Sequence, residues 1–216
     1  MKALLVDLYD TLVWVDWRPL GDRLAARLGV DGDTLLRAFE MTSVARGTGQ
    51  HGSVRGDLAA IVAAAGGRGS DASLTALEDE LMAFLGHSAH LYDDVRPALR
   101  ALRGAGTRIA IVSNCDHATR PLLARLGLES EVDTAVLSCE VGSLKPDPAI
   151  FEHALARLDA SAAQAVFVDD QPRFLAGARA LGIRTLRMVR ASQYPTLAAD
   201  EGAHPVIADL TQLDGL

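Results

Sequence analysis

Apolar residues fall into two patterns along this chain. Short runs that are apolar at nearly every position, each closed by a polar residue, recur at Ala3–Val6 before Asp7, 109–112 before Ser113, Thr134–Leu137 before Ser138 and 165–168 before Asp169, with a further run at 185–189. A run of four to six residues that is apolar on both faces is what a strand buried inside a parallel sheet requires. Between most of these runs the apolar spacing changes to a helical period, predicting helices over 96–103, 118–126, 149–158 and 174–181. Gly104, Gly106, Gly127 and Gly182 fall at or just past their C-terminal ends, where helices commonly stop. Strands alternating with helices at this spacing predict an α/β fold built on a doubly wound parallel sheet.

One stretch breaks the rhythm. From Val13 to His90 only helical periodicity is expected, over 20–28, 34–44, 54–65 and 74–85, with Gly/Ser-rich breaks at 47–53 and 66–73. An ordinary crossover between parallel strands needs only about a dozen residues. The expectation is therefore a core formed by residues 1–12 and 91–216, with residues 13–90 as an inserted helical subdomain. The tail, 205–216, reads as one more short strand and a turn of helix.

Composition narrows the possible partners. With 216 residues, 49% of them hydrophobic, the chain is long enough to bury a full core. Net charge is −7, which argues against a broad grip on nucleic acid and favours small-molecule partners. Cys115 and Cys139 show neither disulfide-scaffold nor zinc spacing. The apolar stretch near the N-terminus is cut by Asp7, too short for a signal peptide, and no run is long enough to span a membrane. A cytoplasmic protein, monomer or homodimer, is expected. The basic residues are nearly all Arg, so the two lysines, Lys2 and Lys145, draw notice.

Sheets of this kind bind ligands beyond the carboxyl ends of their strands. The predicted strands place Asp7 there, with Ser113 and Asn114, and the pair Asp169 and Asp170. In order along the chain, Asp7-Leu8-Tyr9-Asp10-Thr11-Leu12, Ile111-Val112-Ser113-Asn114, Leu144-Lys145-Pro146-Asp147-Pro148 and Phe167-Val168-Asp169-Asp170 resemble the four motifs of the haloacid dehalogenase-like (HAD) hydrolase superfamily. The likeness covers nearly the whole chain. It implies a Rossmann-like core, identifies the helical insertion with the cap many members carry, and matches 91–97 to the return from cap to core.

Roles follow residue by residue from that resemblance. Asp7 corresponds to the nucleophile that forms an aspartyl-phosphate. Ser113 and the Asn114 main chain correspond to phosphoryl-binding donors. Lys145 corresponds to the ammonium that neutralises nucleophile and phosphate. Asp170 corresponds to a Mg²⁺ ligand and Asp169 to a carboxylate that holds a metal-bound water, the set being completed by Asp7 and the Tyr9 carbonyl. A Mg²⁺-dependent phosphatase acting on a small phosphorylated metabolite is the implied function.

Two departures matter. Where phosphatases of the superfamily carry a second Asp, this chain has Tyr9, and a phenol with an ordinary pKa near 10 is a poor base. Tyr at that position resembles the 2-haloacid dehalogenases, which makes dehalogenation the rival reading. Those enzymes usually show Ser-Ser-Asn in the fourth motif, whereas this chain has Asp169-Asp170. A non-catalytic HAD-fold binding protein is the third. Asp10 is a substitute acid only if it shares a face with Asp7, and an extended strand would turn it away. The second departure is Phe174, which stands where many relatives have an Asn. Trp14 and Trp17 are expected between core and cap or at the entrance, Arg46 is a candidate for a substrate anion, Cys115 is expected to be a packed side chain, and His87, His90 and His117 lack metal-ligand spacing.

Overall fold

The computed structural model describes residues 1–190 and 204–213. The last three residues of the predicted tail, 214–216, lie outside them. In chain order the first half comprises β1 (Ala3–Val6), β2 (Val13–Val15), α1 (Arg18–Leu28), α2 (Gly32–Gly47), α3 (Val54–Ala64), α4 (Asp71–Ser88), β3 (Ala89–Leu91) and α5 (Val95–Gly104). The second half comprises β4 (Arg108–Ser113), α6 (Thr119–Arg125), β5 (Thr134–Leu137), α7 (Ser138–Val141), α8 (Pro148–Arg157), β6 (Ala165–Asp169), α9 (Pro172–Ala180), β7 (Arg184–Met188) and β8 (Val206–Ile207).

Six strands make one parallel sheet in the order β5-β4-β1-β6-β7-β8. The chain builds outward from β1 to one edge, then returns and builds outward to the other. Strand order therefore reverses between β1 and β6, the switch point at which such sheets leave a crevice for ligands.

The strand period of two divides the core. Leu4, Val6, Ile109, Ile111, Val166 and Val168 pack on one face, while Ala3, Leu5, Ala110, Val112 and Phe167 pack on the other against residues of α8 and α9. Leu5, Val6, Ile111 and Val168 are wholly buried, and each such side chain contributes roughly 1.5–3 kcal/mol by leaving water. The first face continues without a break into the helical insertion, through Leu8 and Leu12 to Leu24, Leu58 and Leu85.

The four insertion helices begin and end where local chemistry allows. Asp31, Ser53 and Ser70 accept hydrogen bonds from the backbone N–H groups of Thr34, Gly56 and Ser73, capping α2, α3 and α4. Gly49, between α2 and α3, lies so close to α7 that a Cβ there would sit 1.9 Å from the Cys139 carbonyl oxygen, and its φ of +72° also favours glycine. That glycine sets how closely the insertion approaches the core.

The structure departs from the sequence expectation at both ends of the insertion. Val13–Val15 and Ala89–Leu91 are strands, paired antiparallel with Val13 opposite Leu91 and Val15 opposite Ala89. Each has three residues, too few to show a period, and their pairing joins residues more than seventy positions apart. Trp14 and His90 face each other across this ribbon with ring centroids 4.7 Å apart. Both residues therefore serve the ribbon, and Trp14 is not among the residues lining the large cavity described below.

Candidate active site

Parallel register brings the strand-ending acids together. Val6 pairs with Val168 and with Ile111, so Asp7 and Asp169 emerge side by side, and the Asp7 N–H donates to the Val168 carbonyl at 2.9 Å. Carboxylate oxygens of Asp7, Asp169 and Asp170 all lie within 4.8 Å of one another. The ammonium of Lys145 reaches into this group, donating to Asp7 Oδ1 at 2.5 Å and to Asp169 Oδ2 at 2.7 Å. Asp7, Asp169 and Lys145 are buried.

The electrostatics follow from that crowding. Burial alone would lower the Lys145 ammonium, but the Asp169 and Asp7 carboxylates outweigh it and hold its pKa above the ordinary value, so it stays charged. Burial pushes the Asp169 carboxyl up, opposed by Lys145 and reinforced by Asp7. Asp170, which Lys145 does not reach with a hydrogen bond, is pushed up to about 8 by burial and then by Asp7 and Asp169. Asp169 has both oxygens engaged, since its Oδ1 accepts from the Gln171 N–H at 2.8 Å.

Lys145 is held from several sides. The Asn114 side chain donates to the Lys145 carbonyl at 2.9 Å and accepts from the Lys145 N–H at 2.6 Å. Phe174 offers its ring face 4.9 Å from the ammonium, with Phe167 at 5.5 Å. The absent Asn is thus replaced by a group that supports the lysine. Ser138 fixes the loop after β4, its hydroxyl accepting from the Cys115 N–H and donating to the Cys115 carbonyl. Ser113, at the end of β4, is buried, and its Oγ has no hydrogen-bond partner among the described residues.

The loop after β1 is a tight turn. The N–H groups of Leu12 and Val13 both donate to the Leu8 carbonyl, and the Asp10 N–H donates to Val13. Asp10 has a φ of +59°, in the left-handed region that Asp tolerates better than most residues. The premise of an extended strand at Asp10 therefore fails. Its carboxyl sits in reach of its neighbours' charge, raised by burial and then by Asp7. Tyr9 turns its hydroxyl to Thr119 Oγ1, 3.1 Å away, and its ring to Trp17 at 5.9 Å. Burial pushes the phenol still further up, so it remains a neutral hydrogen-bonding group.

Above the acids, between the sheet and the insertion, lies a cavity of about 900 Å³. Tyr9, Asn114 and Lys145 are among its lining residues, whereas Asp7, Asp169 and Asp170 are not. Arg46, in α2 rather than in a loop, lines this cavity, and it is paired with Asp116 at 2.9 Å and donates to Thr42 Oγ1 and the Phe39 carbonyl. His117 pairs with the buried Asp57 of α3 at 2.7 Å, a second tie between insertion and core. Cys115 lines the cavity, and its contact with Cys139 together with burial raises its thiol.

Sequence reasoning missed one group that shapes the site. Arg190 is buried and donates from Nε and Nη2 to the Thr11 carbonyl at 3.0 and 2.8 Å, and from Nη1 to Asp94 Oδ1 at 2.7 Å. Asp94 also accepts from the Leu210 N–H. The loop after β1 is thereby tied to Asp94 and, through Arg190, to the C-terminal part of the described chain. Nothing local in the sequence signals this, because the partners are up to 179 residues apart.

Comparison with known proteins now adds to the geometry. The chain is 32% identical over 196 residues to a phosphoglycolate phosphatase of Rhodospirillum rubrum, covering 87% of this chain and 79% of the relative. Other curated relatives, including a ribulose-1,5-bisphosphate 5-phosphatase of Halopiger xanaduensis at 40% identity over 98 residues, are matched over only about half their length. Among solved structures, a 2-haloacid dehalogenase of Pseudomonas syringae pv. Tomato superposes with a TM-score of 0.69 at 25% identity, covering 99% of this chain and 96% of that one. Among the described residues no helix is long and apolar enough to cross a membrane. A family model for haloacid dehalogenase-like hydrolases matches residues 1–182, and the chain belongs to that family.

Proposed function

We propose that this chain is a Mg²⁺-dependent phosphatase that hydrolyses a small phosphorylated metabolite through an aspartyl-phosphate on Asp7. The observation that carries this reading is a cluster of three carboxylates, two of them bonded to the one ammonium of Lys145, which leaves the group short of positive charge by two when all are ionised. Hard oxygen donors with an excess of negative charge suit Mg²⁺. Asp7, Asp170, the Tyr9 carbonyl and Asp169 would hold it, and when bound it supplies positive charge opposite the phosphoryl oxygens. A 2-haloacid would instead bring its own carboxylate to these acids, which disfavours the dehalogenase reading and also leaves a catalytically silent binding protein as the alternative outcome.

The residues have distinct tasks in this reading. A carboxylate oxygen of Asp7 attacks phosphorus while the bond to the leaving oxygen breaks. Lys145 neutralises Asp7 and the incoming phosphoryl group, and the unpartnered Ser113 hydroxyl with the Asn114 N–H donates to phosphoryl oxygens as their charge grows. Water then attacks the aspartyl-phosphate, releasing phosphate and restoring Asp7. Residues 13–90 act as a cap over the core of 1–12 and 91–216. Tyr9 has no proton to take up or give readily, so good leaving groups such as aryl or acyl phosphates are favoured over sugar phosphates.

The test is a panel of phosphate esters and 2-haloacids, run with Mg²⁺ and with EDTA. Phosphate release that needs Mg²⁺ and is lost in Asp7→Asn is expected. Halide release that survives EDTA, or ligand-induced stabilisation with no product from any compound, would overturn the reading.

A further inference from the structure

The cavity above Lys145 is larger and more apolar than a phosphoryl group requires. Its volume of about 900 Å³ is near the top of the roughly 300–1,000 Å³ range of small-molecule sites. All four insertion helices contribute apolar walls: Leu24 from α1, Leu35 from α2, Leu58 and Ile61 from α3, and Leu85 from α4. Of the charged residues in the lining, Arg46 is paired with Asp116, Asp57 with His117 through its Oδ2, and Arg18 with Asp16, while Asp57 Oδ1 has no hydrogen-bond partner among the described residues and Asp22 and Arg173 also line the cavity. A sugar phosphate placed here would leave hydroxyl groups facing hydrocarbon, at a cost of roughly 1–3 kcal/mol for each one unpaired. An apolar group would instead gain about 0.8 kcal/mol per methylene buried.

At the rim the same preference continues. Leu36 and Val44 of α2 line the cavity while being 58% and 62% exposed. The inner end of the cavity is polar and close to the chemistry, because Lys145 both lines it and bonds Asp7. One end thus suits a phosphoryl group and the remainder a hydrocarbon.

Resting on the phosphatase reading above, we propose that the substrate is a phosphate monoester whose organic group is apolar and larger than a single aromatic ring, seated between α1, α2, α3 and α4 with its phosphate toward Lys145.

The test uses phenyl phosphate and its 4-methyl, 4-ethyl, 4-propyl and 4-butyl derivatives, whose leaving groups differ little in basicity but grow one carbon at a time. With the full chain and Mg²⁺, kcat/KM is expected to rise about threefold to fourfold per carbon, and glucose 6-phosphate to fall at least about 100-fold below the butyl compound. A flat or falling series would overturn the proposal. Ile61→Asn is expected to flatten the series. Should that variant fail to fold, Leu36→Ser, at an exposed position, is expected to lessen the gain at the butyl step, and an unchanged series in whichever variant folds would count against the proposal. Binding of phenol and the 4-alkylphenols by calorimetry separates the two readings. Affinity graded by chain length with no phosphate hydrolysed supports the apolar site and overturns the phosphatase reading. Hydrolysis with ungraded phenol affinity does the reverse.

Discussion

The side-chain amide of Asn114 closes two hydrogen bonds on the backbone of Lys145, one in each direction, at 2.9 and 2.6 Å. A residue at the end of one strand therefore sets the position of a cation thirty-one residues further on. Asn114→Ala is expected to lower kcat/KM about 10- to 100-fold through Lys145. Asn114→Asp keeps the acceptor for the Lys145 N–H but loses the donor to its carbonyl, so it should fall between the two. Steady-state kinetics alongside thermal melts separates this positioning role from general loss of stability, since the activity defect should persist where the protein is fully folded.

Lys145 is the cation shared by Asp7 and Asp169. Lys145→Met is expected to reduce kcat/KM by about 10²–10³-fold and to cost roughly 3–5 kcal/mol by leaving buried carboxylates without a counter-charge. Mg²⁺ should then raise Tm more in the variant than in the parent chain, because the ion restores charge that the lysine supplied. Thermal melts with and without Mg²⁺ check this, and an equal rise in both would show that the ion and the lysine do not compensate the same charge.

At Tyr9 itself the site has no proton donor of ordinary acidity, its hydroxyl being turned to Thr119. Tyr9→Asp is expected to raise turnover of alkyl phosphates at least about tenfold, a fraction of the 10²–10⁴ that a positioned acid and base can contribute. Aryl phosphates should gain little. The ratio of alkyl to aryl kcat/KM is the measurement, and an unchanged ratio would place the acid elsewhere.

Away from the site, Glu131 accepts from Arg100 Nε and Nη2 and from Arg96 Nη1, and these partners hold its carboxyl below the usual range. A group whose folded pKa is depressed contributes stability above its unfolded pKa and loses it as pH falls through the folded value. Glu131→Gln should therefore lower stability at pH 7 and above about pH 4.5, with the difference from the parent chain shrinking at lower pH. Urea unfolding at several pH values checks the sign.

Much of this arrangement was legible in the sequence because strands buried on both faces leave continuous apolar runs, and the acids at their ends have few positions to occupy. Asp7, Ser113, Asp169 and Asp170 fall at the sheet's switch point for that reason. The Asn114 amide on Lys145 and the Arg190 guanidinium on Thr11 were not legible, since each joins segments whose proximity exists only once the sheet is assembled. The extended strand assumed at Asp10 is absent because the chain leaves the strand at Val6 and turns, and a local pattern of six residues does not announce a left-handed φ. The short ribbon strands escaped notice because three residues carry no period.

That ribbon has a consequence for how the protein can change. Val13–Val15 and Ala89–Leu91 bring the chain's departure point and its return point together, so everything between them is a closed excursion from the core. Residues within the excursion supply most of the cavity wall, while Asp7, Ser113, Lys145, Asp169 and Asp170 all lie outside it. Substitutions, or a change in helix length, between the two strands can therefore alter the cavity wall without altering where Asp7, Lys145, Asp169 and Asp170 stand. Most of the cavity wall and the carboxylate cluster thus belong to separate stretches of one chain, which the two strands bring together.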